Sequence, residues 1–244
     1  MRLFFWIFMI KIMSTPLAIY SPKRTYLVNT VGTNYLVRGN EPLNESGAFA
    51  YDELNEKLQT LIPDFNLKNN KLITISLIDN NPASERSDLN KEFLAYGISQ
   101  EDFDKYLSFP NTWPPFYRGV DVKAQSGTTV CGQSGAMVWY PVQGCSDENN
   151  CELVEAPQFN FSGLVDYMQA LITTEENVVV YYHCEHGHDR TSALTGAYML
   201  KYMGKTLEDV LTERPPNGAK AFSHPWGVTY EQLVKYYYSI LSKK

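Results

Sequence analysis

The pattern of apolar and polar positions is clearest in the second half of the chain. Ala136–Tyr140 (AMVWY) and Val178–His183 (VVVYYH) are continuous apolar, β-rich runs, the pattern of strands covered on both faces. Between them Ser162 stands before Leu164, Met168 and Leu171, a capped helix with one apolar stripe. A further helix is predicted from about Ser192 to Met203, closed by Gly204. Thr206 opens the helical stretch TLEDVLTE, and Thr229 with Gln232 forms a capping box for a last helix ending near Leu241. The first half is less regular. Short strands are expected at Thr25–Asn29 and Tyr35–Val37, a helix at Leu54–Leu61, and a β-rich run at Lys71–Ile78 (KLITISLI). Ser84–Tyr96 alternates charges at helical spacing, and Asn111–Pro115 (NTWPP) reads as a turn. Strands alternating with helices predict an α/β fold, a central, mostly parallel twisted sheet flanked by helices.

The first 18 residues stand apart. Arg2 precedes the apolar run Leu3–Ile10, and Lys11 separates it from Ile12–Ala18. The run is too short to span a bilayer but suits the apolar core of a signal peptide. Residues 1–18 are therefore expected to direct export, leaving 19–244 as one domain; without that role the protein would be cytoplasmic. With 17 Tyr and 12 Phe among 244 residues, the remainder can build a substantial core. The net charge of −6 supplies no general field for nucleic acid or anionic membrane, so any bound anion needs a local site. No stable membrane span and a monomeric state are expected. Cys145 and Cys151 lie six apart in a polar loop and are candidates for a disulfide, with Cys131 as a competing partner. Asn44-Glu-Ser46 and Asn160-Phe-Ser162 match the glycosylation pattern, which has meaning only in a eukaryotic host.

The candidate chemistry lies between the second strand and the helix after it: His183-Cys184-Glu185-His186-Gly187-His188-Asp189-Arg190-Thr191. A loop entering a helix N-terminus aims backbone N–H groups at one spot, and the helix dipole adds positive potential there. Five residues between Cys184 and Arg190 let the backbone circle a tetrahedral oxyanion above the sulfur, and Gly187 permits the backbone angles this needs. A free cysteine with a pKa of about 8.5 is only about 3% ionised at pH 7. The helix terminus and the Arg190 guanidinium both favour the thiolate. Arg190 can fork onto two oxyanion oxygens, and Thr191 can donate a hydrogen bond to the sulfur. Glu185, His186, Gly187, His188, Asp189 and Arg190 would form the substrate cradle. His183 is expected to be a structural hydrogen-bonding partner of the loop. His186 and His188 are expected at its mouth, where their charge would favour acidic conditions.

The segment VVVYYHCEHGHDRTSA resembles the phosphate-binding loop of the protein tyrosine phosphatase superfamily, with its HC-x5-R-[ST] pattern. The likeness extends from about Ala136 onward. Weaker echoes of dual-specificity members occur in Tyr35–Pro42 (YLVRGNEP) and Leu72–Ile78. Asp189 before Arg190 is similar to the CxxGxDRT loops of myotubularins and bacterial tyrosine or lipid phosphatases, and the HCE start is similar to bacterial phosphatase-like phytases. The resemblance implies a phosphocysteine intermediate, no cofactor or metal, and a general acid on a loop upstream. The Trp-Pro-Asp motif of that loop is absent; Trp139-Tyr-Pro141 stands there instead. Asp147 is the first candidate acid, the only aspartate of the Tyr140–Pro157 loop and 37 residues before Cys184. Glu148, Glu152 and Glu155 follow, and Asp189 is an alternative inside the loop itself. Arg38 and Arg118 are candidates for substrate contact or structural charge, and Trp113 for packing.

Two other classes compete. His183, Cys184, His186 and His188, with His224 downstream, are zinc-capable ligands, but zinc leaves Arg190, Gly187 and Thr191 unexplained. A phosphate-reading module with little turnover is the second. The expected substrate is a phosphorylated protein, chiefly on tyrosine, with a phosphoinositide or inositol phosphate as the alternative. The absence of lysine between Cys184 and Arg190 weighs against a highly charged inositol phosphate.

Overall fold

A computed structural model of the chain describes residues 19–79, 83–101, 103–104, 129–130, 133–145, 151–156, 160–212 and 227–243. The strands are β1 (Tyr26–Val31), β2 (Asn34–Asn40), β3 (Lys71–Ser76), β4 (Thr129–Val130), β5 (Gln133–Trp139) and β6 (Val178–Cys184). They form one six-stranded sheet in the order β1-β2-β6-β3-β5-β4. The four middle strands, β2, β6, β3 and β5, are mutually parallel, while β1 and β4 pair antiparallel at the two edges. The expected mostly parallel α/β sheet is therefore present.

Helices α1 (Tyr51–Leu61) and α2 (Ala83–Ala95) cover one face; α3 (Phe161–Thr174), α4 (Asp189–Tyr202), α5 (Leu207–Thr212) and α6 (Gly227–Leu241) belong to the other. All seven residues of β6 are buried. Its alternate side chains divide between the two cores: Val179 and Tyr181 pack toward α1 and α2, Val178, Val180, Tyr182 and Cys184 toward α3 and α4. That two-sided burial is why the strand reads as an unbroken apolar run. Helix α4 is buried from Thr191 to Leu200, because sheet, α3 and α6 surround it. Its sequence accordingly lacks a polar stripe.

Element boundaries differ from the sequence expectation where side chains or neighbours intervene. Asn160, not Ser162, caps α3, its side chain accepting from the Gly163 N–H at 3.1 Å. Ser162 instead bonds the Glu155 carboxylate through its hydroxyl at 2.9 Å. Helix α4 begins at Asp189, three residues before Ser192, which places Arg190 and Thr191 in its first turn. Helix α6 begins at Gly227, so Thr229 lies inside it and is not its cap. Thr206 does cap α5: its Oγ1 accepts from the Asp209 N–H at 3.1 Å, and Asp209 accepts from the Thr206 N–H at 2.9 Å. Strand β2 runs three residues past Val37, and β3 stops at Ser76, after which the Leu77 N–H still bonds the His183 carbonyl near the end of β6.

Cys145 and Cys151 are joined in a disulfide, both residues inside the core beside Val142 and Val154. The competing partner Cys131, the turn at Asn111–Pro115 with Trp113, Arg118, and the 1–18 segment lie outside the described residues. No helix among the described residues is long and apolar enough to cross a membrane. Paired Cys145→Ala and Cys151→Ala substitutions should lower the unfolding free energy by about 2–3 kcal/mol, the chain-entropy value for so short a loop. Denaturant titration of both proteins under non-reducing conditions checks this; an unchanged midpoint would mean that the packing alone holds the loop.

Candidate active site

The parallel strands all end on one edge of the sheet, where ligand sites of α/β folds gather. Asn40 of β2 pairs with Cys184 of β6, and Ser76 of β3 with His183. The loop from Glu185 to His188 thus rises between the ends of β2 and β3 before α4 begins. Three consecutive carbonyls of this loop are held from outside. Glu185 C=O accepts from the Glu41 N–H at 3.2 Å, His186 C=O from Arg24 at 2.8 Å and Gly187 C=O from Arg38 at 2.8 Å. In a planar trans peptide the following N–H points to the opposite side. The N–H groups of His186, Gly187 and His188 therefore face the loop interior, toward the N-terminus of α4 with its own unspent amides. That is an anion cradle.

Gly187 is indispensable on two counts. Its φ is +67°, and a Cβ there would lie 2.5 Å from the Gly39 carbonyl oxygen and 2.8 Å from the Asn40 N. The first is the left-handed region that L side chains resist, and the second is a clash with backbone that cannot move aside.

At the floor, Thr191 Oγ1 accepts from the Cys184 N–H at 2.9 Å and donates to Cys184 Sγ at 3.2 Å. Cys184 is the free cysteine of the described residues and is buried. Arg190 leans over from the first turn of α4. Its Nη1 and Nη2 donate to the two carboxylate oxygens of Glu85 at 2.7 and 2.6 Å, Nη1 also to Leu77 C=O at 3.3 Å, and Nε to Tyr230 Oη at 3.2 Å. Burial works against the Arg190 charge, but the Glu85 fork, with Tyr230 and Cys184 beside it, outweighs burial and raises the guanidinium above its ordinary value. Arg38 is fully buried behind the loop, bonded to Gly187 C=O and at 2.9 Å to Ser192 Oγ. Burial lowers its pKa, partly offset by Tyr182 and Cys184. Of the two roles open to Arg38, the structure shows the structural one.

His183 bonds Glu92 at 2.7 Å through Nε2, both side chains being wholly inaccessible, and the second Glu92 oxygen accepts from Ser76 Oγ at 2.8 Å. His183 is thus held by a hydrogen bond, as expected, but its partner is Glu92 of α2 and not the loop. Glu185 and His186 sit at the rim, 3.6 Å apart, His186 being the more exposed. Asp189 occupies the first turn of α4, where a carboxylate suits the dipole. Glu155 is turned to the N-terminus of α3. Asp147 and Glu148, like Arg118 and His224, lie outside the described residues. Among the described residues no group of three or more His, Cys, Asp or Glu could hold a metal ion.

Sequence reasoning did not single out Glu85, Glu92, Glu41, Arg24 or Tyr230. A signal was present for two of them: Glu85, Asp88 and Glu92 recur at i, i+3 and i+7 of α2, one helical face, and all three are buried. No sequence pattern marks Tyr230, which lies 40 residues beyond Arg190.

No family model and no curated protein sequence matches the chain. Solved structures that resemble it are protein tyrosine phosphatase-like. One is the kinase associated phosphatase (KAP) with its catalytic cysteine changed to serine: TM-score 0.37, 11% identity, over 90% of this chain and 94% of that one. Another is the PTP-like myo-inositol phosphatase of Mitsuokella multacida in complex with myo-inositol-(1,3,4,5)-tetrakisphosphate: TM-score 0.43, 11% identity, over 93% of this chain. A third is the tandemly repeated PTP-like phytase of the same organism: TM-score 0.41, 12% identity, over 94% of this chain. The chain spans 44% of the length of each of these two. At such TM-scores and identities they are likenesses only, and the chemistry of this site rests on its own geometry.

Two outcomes test this geometry. Glu85→Ala should weaken orthophosphate binding roughly tenfold by calorimetry, because Arg190 loses the carboxylate that fixes its guanidinium in place; unaltered affinity would show that Arg190 is aimed without it. The second concerns Glu41, a fully buried carboxyl whose oxygens find no hydrogen-bond partner among the described residues. Burial first, then the Glu92, Asp88 and Glu185 carboxylates, push it up to about 10, with Lys91 partly offsetting them. A folded-state pKa above the unfolded value of about 4.3 means the native state holds one more proton between those limits, so stability declines as pH rises through that window. Glu41→Gln should remove that decline, read as the difference in urea midpoint between pH 5 and pH 9; equal slopes in both proteins would show that Glu41 is ionised in the native state.

Proposed function

We propose that the chain is a cysteine-dependent phosphatase of the protein tyrosine phosphatase type, hydrolysing phosphate monoesters through a phosphocysteine on Cys184. One observation carries the reading: a sulfur hydrogen-bonded by Thr191 lies at the floor of a loop whose Glu185, His186 and Gly187 carbonyls are turned outward, with an arginine fixed at its rim. In this reading the Cys184 thiolate attacks phosphorus from beneath while the ester oxygen departs on the opposite side. The inward amides and Arg190 stabilise the charge that spreads over the three equatorial oxygens. Thr191, already bonded to Sγ, stabilises the sulfur as it leaves the phosphoenzyme when water attacks. Asp147 is the first candidate to protonate the leaving oxygen, with the loop glutamates and Asp189 as the alternatives.

The substrate we favour is a phosphorylated protein, chiefly on tyrosine. The loop has no lysine between Cys184 and Arg190 and carries the Glu185 carboxylate at its rim, which favours a single phosphoryl group over a polyphosphorylated ring. We also read residues 1–18 as an export signal; the Cys145–Cys151 bridge supports an oxidising destination.

With an aryl phosphate under mild reductant, Cys184→Ser should fall to the buffer rate, and Arg190→Lys by at least about 100-fold, with chelator having no effect. Undiminished turnover by Cys184→Ser would end the proposal. In the same assay Asp147→Asn should flatten the alkaline limb of the pH profile; an unchanged limb moves the acid role to Asp189 or a loop glutamate. A panel of phosphopeptides, phosphoinositides and inositol phosphates decides the substrate class, and preference for the last two would overturn the protein assignment.

A further inference from the structure

The two edges of the Arg190 guanidinium are engaged unequally. The end edge, Nη1 with Nη2, is locked to Glu85 by two short charge-assisted bonds of 2.7 and 2.6 Å. The side edge is held more weakly: Nε donates to the Tyr230 hydroxyl at 3.2 Å, the long end of the hydrogen-bond range and to a neutral acceptor. A phosphoryl oxygen carrying charge is the stronger acceptor, so a substrate can take the side edge without disturbing the Glu85 fork.

Tyr230 is itself well placed. It stands in the first turn of α6, and its ring lies over Gly144 at the exit of β5: a Cβ on Gly144 would come within 3.3 Å of the Tyr230 Cζ and 2.6 Å of Thr229 Oγ1. The Cys145 N–H bonds Thr229 C=O at 3.0 Å, so the disulfide-closed segment and this turn are fastened together. Cys184 and Asp189 are near enough to act on the Tyr230 phenol electrostatically, and burial above all raises its pKa. The group is therefore a neutral phenol with one proton to give, its acceptor side being taken by Arg190.

We propose that Tyr230 is a phosphoryl-contact residue, whose hydroxyl aligns the side edge of Arg190, yields that edge to an incoming oxyanion oxygen, and donates its own proton as a hydrogen bond to the same group. The inference rests on the phosphatase reading and names a ligand contact on an element the signature loop does not include. It adds a donor from α6, and it links the β5 exit to the oxyanion through one ring.

Tyr230→Phe keeps the ring on Gly144 and removes the hydroxyl. Orthophosphate affinity by calorimetry should fall roughly 10- to 100-fold, the range for one hydrogen bond to a charged group, with KM for an aryl phosphate rising in step. Equal or tighter orthophosphate binding would overturn the proposal, as would a lower kcat at unchanged affinity, which marks Tyr230 as only a support for Arg190. Wild-type protein that neither binds orthophosphate nor hydrolyses monoesters would instead sink the phosphatase reading. Should Tyr230→Phe not fold, 3-fluorotyrosine placed at position 230 reports on the native chain: its fluorine resonance should shift on orthophosphate titration, and a resonance that does not move overturns the contact.

Discussion

Three hydrogen bonds to the outer rim of the loop after β6 set everything else at this site. The Glu41 N–H, Arg24 and Arg38 each hold one of the carbonyls of Glu185, His186 and Gly187. Because peptide planes are rigid, fixing the carbonyls outward fixes the amides inward. The backbone of the loop is thereby held in one shape by its surroundings. Two of the three donors are arginines, so the outer rim is also a source of positive charge behind a loop that has no lysine of its own.

Two polar groups of the site are paired from a single helix. Helix α2 presents Glu85 to Arg190 and Glu92 to His183 from one face, so two polar groups on either side of Cys184 in sequence each receive a carboxylate from the same element. A buried guanidinium without such a partner would carry a heavy desolvation penalty. Glu41 lies beside this acidic face and is kept in its neutral form by burial and by the neighbouring carboxylates. Helix α2 therefore acts as a scaffold for the site, and its inward acids explain why its apolar residues form no clean stripe.

The exits of β3 and β5 are tied to the same place. Asp79 donates its N–H to Glu85 at 2.9 Å and accepts from Gln143 at 2.7 Å. Trp139 reaches Ile78 C=O at 2.8 Å, and the segment through Cys145 is anchored on α6. Arg190 is thus contacted by groups from the β3 exit, α2 and α6, which stand 113, 105 and 40 residues away along the chain. Rigid support of this kind fixes the position and orientation of the Arg190 guanidinium, as the proposed chemistry requires.

Local chemistry made the loop legible without coordinates. Cys184, Gly187, Arg190 and Thr191 are spaced so that strand, left-handed glycine and helix start must follow one another, and the apolar runs before and after leave little choice of element type. The alternation of those elements likewise dictated the sheet and its flanking helices. Boundaries were less legible: Asn160 caps α3 from αL backbone, and α4 starts at Asp189, because caps depend on how the entering chain is held. What only the tertiary structure decided is which distant side chains meet the loop. Arg24, Arg38, Glu85 with Glu92, and Tyr230 come from a turn, a strand and two helices far apart along the chain. Their roles arise from packing across the sheet edge, a long-range relation that hydrophobic periodicity and short motifs do not encode.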